Sequence, residues 1–565
     1  MAVLDDALRS IHDGRGVADD FETDRLDFKR QSESLSDTQA SVADAAICFA
    51  NAGGGIVVLG VRDRVTGPGA FSGTTLDAQD LRRKIHDVTQ PALDVHVQEK
   101  HFEGTRLLIV SVQEGLDVYL RHGKTPTRRL QKDCLPMTSA EISHLHDERR
   151  GIDWSAVETE FTLADAGADS MSVLRSYLWS AQPETGLTDK TDDDLLRALS
   201  LITADGRLTR AGALLLVDSH QERITYQYRR TPGGEVAFGR RYVGPLLTAF
   251  SDVMQALEAR IGTTPVSVSA GQQLQIEDYP LAALREAVVN GLMHGDHRVA
   301  QPLYIEHSPQ MLTVRSPGPL VSGVSPQNIL THPPRPRFKL LADAFRSLGL
   351  AERYGQGVDR MFREMMRTGR TVPAVEVTTG AAPETSIRFI GSPPNARVTR
   401  FVSELPPEQQ TDTDVLLVLT ALMARKTVNA DVLSPVVQRD AEATQVILHG
   451  LATADEPLIE PVRRTARRSR PDYQLTSRPI AALGSALAYQ ARPRADRDAK
   501  IIEHVREYDS VNNAAVQRMF DVDVYAARDH IQDLVSRGIL VRTSEQSRGT
   551  AVRYGRGPAF PARRR

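Results

Sequence analysis

Cysteine is nearly absent from this chain: Cys48 and Cys134 are the only two in 565 residues. Each sits in an apolar or mixed context with no paired C-x-x-C spacing, so a disulfide scaffold and a cysteine-based zinc site are both unexpected. A reducing cytoplasm fits that usage. No uninterrupted apolar run approaches twenty residues and no basic-then-apolar leader opens the sequence, so neither a membrane span nor secretion is expected. A dominant charge of one sign is missing too. The formal net charge of −3 argues against a uniformly basic nucleic-acid coat.

What is present is ordinary globular material. With 41% hydrophobic and 25% charged residues, the length predicts about three or four domains. The charge is unevenly spread: residues 461–565 hold 21 Arg and Lys against 11 Asp and Glu, which points that end toward phosphate-rich partners.

The most chemical segment is Leu281-Ala-Ala-Leu-Arg-Glu-Ala-Val-Val-Asn-Gly-Leu-Met-His-Gly-Asp-His297. Read as a helix, it places Glu286, Asn290 and His294 four residues apart on one face, away from the apolar stripe of Leu281, Leu284, Val288 and Leu292. A carboxylate one turn before an amide oxygen suits a water-activating base beside a Mg²⁺ ligand. On its own such a pair is as readily a solvated helix face. Two elements follow in order. Arg315-Ser-Pro-Gly-Pro-Leu320 ends a strand, and Gly355-Gln-Gly357 opens a helix, where glycines let backbone N–H groups approach phosphates. A metal reading of His294, Asp296 and His297 finds no fourth ligand at a supporting spacing.

This trio resembles the nucleotide-binding domain of the GHKL ATPases, in the divergent branch found in bacterial regulators, over roughly residues 235–392. The resemblance implies ATP and Mg²⁺ as cofactors, with Glu286 as general base and Asn290 as metal ligand. It places Gly318 in the adenine-side loop, Gly355 and Gly357 in the phosphate lid, and Thr385 and Ser386 at the start of the last nucleotide-side strand. The family's adenine-reading Asp is replaced by Ser316-Pro317-Gly318, with Asp296 as a substitute polar contact.

An N-terminal module follows a short acidic lead. Phe21-Glu-Thr-Asp-Arg-Leu-Asp-Phe-Lys-Arg30 precedes an amphipathic helix through Ala40–Ala50, and Asn51-Ala-Gly-Gly-Gly55 then ends the helix before the continuous apolar strand Ile56–Val61 and Asp63. The pattern resembles the Schlafen/AlbA-type domain over most of residues 15–150. In the Schlafen branch an acidic triad cuts RNA with a divalent metal, and the matching positions are Glu22, Asp27 and Asp63. The structural alternative has Asp27 and Asp63 bracing strand ends while Lys29 and Arg30 touch phosphate. His122-Gly-Lys-Thr125 mimics the end of a P-loop, yet Val118 stands where its first glycine belongs, so Arg121, Lys124, Arg128 and Arg129 read as exposed cations.

The C-terminal third shows helix, helix, turn, helix and two short strands, the winged-helix order. Tyr525, Arg528 and Gln532 lie on the outer face of its third helix, with Arg548 in the wing. Residues 412–476 repeat the outline, with Arg463 and Arg464 at the wing.

The expected architecture is therefore an α+β multidomain protein. It comprises a Schlafen/AlbA-type α/β domain (1–154), a coupling segment (155–234), a GHKL-like ATP-binding domain of Bergerat-type α/β sandwich fold (235–395) and tandem winged helix-turn-helix units (396–480 and 490–565). The implied function is ATP-dependent binding of DNA, or of RNA, by a cytoplasmic homodimer or higher homo-oligomer acting as a transcriptional regulator or antiphage-type effector. A metal-dependent nuclease and a non-catalytic scaffold stay open beside it.

Overall fold

The computed structural model describes the chain except residues 1, 131, 268–272, 322, 353–354, 379–381, 489–493, 521–523, 545, 547–551 and 562–565. It divides into two compact units, residues 1–416 with 434–440, and residues 417–433 with 441–565. Among the described residues no helix is long and apolar enough to cross a membrane.

The first unit opens with α1 (Ala2–His12), where the expectation was an acidic lead. Leu4, Leu8 and Ile11 recur on its inner face and are buried, and Asp5 and Asp6 belong to the rest of the helix. Strands β1 (Leu26–Lys29), β2 (Gly55–Leu59), β3 (His96–Phe102) and β4 (Thr105–Val112) form a sheet in the order β1-β2-β4-β3, with β1 and β2 parallel. Both faces are covered. Val57, Leu59, Leu108 and Val110 pack beneath α2 (Leu35–Ala50) and α3 (Ala78–Val88), while Val58, Leu107 and Ile109 pack with α1. A strand buried on both sides has no reason to alternate, which is why Ile56–Val61 is uniformly apolar.

The Asn-Ala-Gly-Gly-Gly segment has a definite mechanical use. Buried Asn51 donates from Nδ2 to the carbonyls of Tyr119 (2.6 Å) and Thr127 (2.9 Å) and accepts from the Tyr119 amide (2.8 Å). Gly54 has φ +78, and a Cβ there would lie 2.7 Å from the Val112 carbonyl oxygen. A hairpin, β5 (Thr127–Leu130) with β6 (Asp133–Pro136), then leads to α4 (Ser139–Arg150). Cys48 and Cys134 form a disulfide between α2 and β6, with Cα atoms 5.9 Å apart, where sequence made a disulfide scaffold unexpected. Eighty-six positions separate them, so no local spacing announces the pairing.

The second sheet of this unit has six strands: β7 (Glu222–Arg229), β8 (Val236–Val243), β9 (Leu303–His307), β10 (Met311–Pro317), β11 (Ala374–Thr378) and β12 (Glu384–Ile390), in the order β8-β7-β9-β10-β12-β11. Only β7 and β9 pair in parallel; the other neighbours are antiparallel. Helices α5 (Leu246–Glu258), α6 (Leu281–His294), α7 (Lys339–Ser347) and α8 (Gly357–Met366) accompany it. Buried Leu284, Val288 and Leu292 of α6 form its inner stripe.

In the C-terminal third, α9 (Thr413–Ala424), α10 (Ala430–Val437) and α11 (Ala441–Thr453) precede the paired strands β13 (Ile459–Pro461) and β14 (Tyr473–Leu475). The same order returns as α12 (Arg494–Tyr508), α13 (Asn513–Phe520), α14 (Val524–Ser536), β15 (Leu540–Arg542) and β16 (Tyr554–Arg556). Ile501, Val505, Val516, Ile531, Leu534 and Leu540 make the core of this second set. Gly538, at φ +69, follows α14, and the last described strand begins at Tyr554.

Candidate nucleotide site and nucleic-acid faces

Glu286, Asn290 and His294 line one cavity of about 160 Å³, together with Ser316, Pro319, Arg337, Gly355, Gly357 and Thr385. The three residues of α6 therefore face one shared cleft. Glu286 is 2% exposed. Its carboxylate accepts a hydrogen bond from Arg360 Nη1 at 3.0 Å, and the other arm of that guanidinium reaches Glu352. Burial raises the Glu286 carboxyl above its ordinary range, and the Arg360 charge opposes the rise. Gly357 starts α8 directly against this carboxylate: a Cβ there would stand 2.6 Å from Glu286 Oε2 and 3.5 Å from Asn290 Nδ2. The first turn of α8 thus opens onto the acid and the amide.

The opposite wall is the end of β10 beside β12. Ser316 pairs with Thr385 in the ladder and donates from Oγ to the Thr385 carbonyl at 3.3 Å, while Thr385 Oγ1 donates to the Gly318 carbonyl at 3.0 Å. His294 is half-buried; burial, reinforced by Arg337 and Arg346, lowers its imidazole to about 4, so it is neutral near pH 7. His297 is lowered to about 4 mainly by burial, and its Nε2 lies 2.6 Å from the Leu292 carbonyl oxygen.

Asp296 and Gly318 belong to a neighbouring cavity. The Asp296 carboxylate is 2.8 Å from Arg298 Nε and 3.2 Å from His144 Nδ1. Burial alone would raise this acid, but the Arg298 hydrogen bond and the charges of Arg337 and Arg298 outweigh it and hold the carboxyl low. Its lone pairs are thus engaged with side chains.

Ion pairs tie α4 to the loops that flank the six-stranded sheet. Beside the His144–Asp296 contact, Asp147 lies 3.6 Å from Arg298, and Glu148 lies 3.1 Å from Arg335. Asp153 accepts from the Leu340 amide at 2.6 Å and Ser155 from the Leu341 amide at 3.2 Å, so two free N–H groups of the α7 N-terminus are capped from the other side.

At the N-terminal acids, Glu22 and Asp27 adjoin but Asp63 stands exposed beyond β2. Among the described residues no three His, Cys, Asp or Glu side chains are grouped to hold a metal ion, so the expected three-acid cage is not formed there. Asp27 is instead paired with Lys29 (2.7 Å) and with Arg129 (3.4 Å). Arg129, expected as an exposed cation, is buried: it also donates to the carbonyls of Thr23 and Leu26, both at 3.2 Å, and lies over the Phe49 ring. Burial beside Asp27 pushes the Glu22 carboxyl up to about 7. Arg30 is exposed, whereas Lys29 is half-buried and engaged.

In the second unit Arg463 and Arg464 are exposed between β13 and β14, and Arg528 and Gln532 are exposed on α14. The Tyr525 side chain and Arg548 lie outside the described residues. Sequence reading missed Arg360, three residues past Gly357, and Arg337; the spacing of Arg360 along α8 was the one available signal.

With that geometry in place, two matches to family models give the class. Residues 22–138 match the model described as "Schlafen, AlbA_2", and residues 301–382 match "Putative ATP-dependent DNA helicase recG C-terminal". The chain carries a Schlafen AlbA_2 domain and a RecG-type ATPase-like domain, a pair that suggests a nucleic-acid-related, ATP-binding protein. The helix bearing Glu286 and Asn290 lies just upstream of the second match.

Among solved structures, the crystal structure of the DIP2311 protein from Corynebacterium diphtheriae is 26% identical, over 85% of this chain and 98% of its own, with a TM-score of 0.53. The solution structure of the N-terminal domain of a "Putative ATP-dependent DNA Helicase RecG-related Protein" from Nitrosomonas europaea is 26% identical over 19% of this chain and 71% of its own, with a TM-score of 0.15. No curated protein matches.

Proposed function

We propose that the chain is an ATP–Mg²⁺-dependent nucleic-acid-binding regulator, of transcription or of a defence response, and that it works as a homodimer or larger homo-oligomer. The observation that carries this reading is the convergence of Glu286, Asn290, Gly357 and Thr385 on one cavity. These residues fit the group: an amide oxygen for the cation, a helix start for phosphate, and a hydroxyl-bearing strand end on the base side. Bound Mg²⁺ would supply charge neutralisation for the phosphates. Glu286 orients a water when Arg360 releases it, and the exclusion of bulk water at 2% exposure keeps the carboxylate basic.

In this reading residues 235–395 form a Bergerat-type sandwich and the C-terminal helix-and-strand sets are winged helices. Exposed Arg528 and Gln532 read base edges, while Arg463, Arg464 and the N-terminal Arg30 contact phosphate. The ion pairs of α4 transmit the nucleotide state to the Schlafen AlbA_2 domain. Binding of labelled DNA and RNA to the purified chain, with and without ATP–Mg²⁺, tests this: the reading requires a nucleotide-dependent change in affinity, and identical isotherms contradict it.

A further inference from the structure

The loop between β10 and α7 supplies part of the wall of the cavity beside Glu286, through Val324, Ile329 and His332. It holds its own shape. Asn328 accepts at Oδ1 from the Ser325 amide at 2.7 Å and donates from Nδ2 to the Gly323 carbonyl at 2.8 Å. Its carbonyl accepts from the amides of Thr331 at 3.0 Å and His332 at 2.8 Å. Bonded in this way, residues 323–332 move as one piece when a lining side chain moves.

Gln438 is tied to that piece three times. Its Oε1 accepts from the Leu330 amide at 2.8 Å, its Nε2 donates to the Pro326 carbonyl at 2.9 Å, and its own carbonyl accepts from Thr331 Oγ1 at 3.0 Å. Its φ of +55 lies in the left-handed region that residues with a Cβ rarely occupy, so the three bonds offset a backbone conformation that is costly for glutamine. The next residue gathers a second wall. Arg439 pairs with Asp414 at 3.1 Å, and Thr413, at the start of α9, accepts from Arg363 Nη1 at 3.3 Å. Arg363 lies on α8, the helix whose Gly357 stands against Glu286. The loop wall and the α8 wall thus converge on adjacent residues. Residues 434–440 pack with the first unit, while the chain on either side of them, 417–433 and 441 onward, packs with the second. Helix α11 begins at Ala441, just past this dipeptide.

We propose that Gln438 and Arg439 form a coupling element that carries the occupancy of the cavity beside Glu286 to α11, the helix that in the winged-helix reading enters the groove of nucleic acid. Gln438 is not among the residues lining that cavity, so it positions and does not bind. The inference rests on the nucleotide reading above.

Hydrogen exchange of the full chain with and without ATP–Mg²⁺, beside calorimetric titration with ATP, tests it. In wild type, nucleotide is expected to change exchange across both 323–332 and 434–453. Gln438→Gly suits the left-handed backbone and removes the two side-chain bonds. Its ATP affinity should stay within about twofold of wild type and its 323–332 response should persist, whereas its 434–453 response should fall about fivefold or more. No saturable ATP binding by wild type overturns the nucleotide reading and this inference with it. ATP binding with a response confined to one segment, or absent from both, overturns this inference alone, as does a 434–453 response in Gln438→Gly equal to that of wild type. An ATP affinity lowered about tenfold or more in Gln438→Gly makes the residue part of the binding wall and overturns the coupling role.

Discussion

Gly357 and Glu286 stand so close that a single methyl group cannot be placed between them: a Cβ at 357 would lie 2.6 Å from Glu286 Oε2. The carboxylate has little room to give way, being buried and held by Arg360. Gly357→Ala should therefore displace Glu286 or the start of α8, at about 1–3 kcal/mol. We expect at least a tenfold loss of ATP affinity with the protein still folded, measured by calorimetry and thermal melting; unchanged affinity would separate the glycine from the nucleotide site.

Asn290 and Glu286 should part company in function. Asn290→Ala is expected to abolish Mg²⁺-dependent ATP binding, whereas Glu286→Gln preserves binding and stops any hydrolysis. Equal ATP affinity in wild type and Asn290→Ala would sink the assignment of the amide as metal ligand.

Arg360→Met leaves Glu286 buried without its cation. The carboxyl, already raised by burial, rises further, so the native state holds its proton over a wider range than the unfolded chain does. Stability then falls as pH increases above the ordinary Glu range. With Arg360 about one-third exposed and partly screened, the variant should lose about 1–2 kcal/mol at pH 8 and less at pH 5. Thermal melts at the two pH values decide; equal losses at both would deny the coupling.

At the N-terminus the sign is the same. Glu22 is pushed up to about 7 from an ordinary 4.5, so it costs stability as pH rises between those values. Glu22→Gln should remove the dependence, making the variant more stable than wild type at pH 8 by on the order of 1–3 kcal/mol and nearly equal to it at pH 4. A wild-type-like pH profile in the variant would show that Glu22 is not the titrating group.

The exposed arginines of the second unit should divide by role. Replacing both Arg463 and Arg464 by Ala is expected to lower the salt slope of duplex binding by about two units, one per phosphate contact, without changing sequence preference. Arg528→Ala should instead relax that preference, seen by competition among duplexes. If the slope stays constant in the double variant, the phosphate contacts lie elsewhere.

Local periodicity made α6 legible, because three residues at i, i+4 and i+8 share a face whatever the surrounding fold, and the apolar run at Ile56–Val61 likewise announced a strand covered on both sides. The partners of those residues were not legible. Glu286 meets Arg360 across 74 positions and Asp27 meets Arg129 across 102, distances over which spacing carries no information. Buried Arg129 reads in the sequence as one more surface cation, since only the folded hairpin shows the carbonyls and carboxylates it satisfies. The helix at Ala2–His12 was obscured differently: Asp5 and Asp6 gave it the look of a solvated lead, although Leu4, Leu8 and Ile11 already marked a helical stripe.

The caps on α7 bear on how the protein comes apart. Leu340 and Leu341 borrow side-chain acceptors from Asp153 and Ser155, nearly two hundred positions earlier, so the start of α7 does not satisfy its own backbone alone. Each borrowed cap is worth about 1 kcal/mol. The segment after the Schlafen AlbA_2 domain and the start of α7 should consequently fray together, and native-state hydrogen exchange at those two amides would follow the opening of the interdomain seam, not the melting of the helix that contains them.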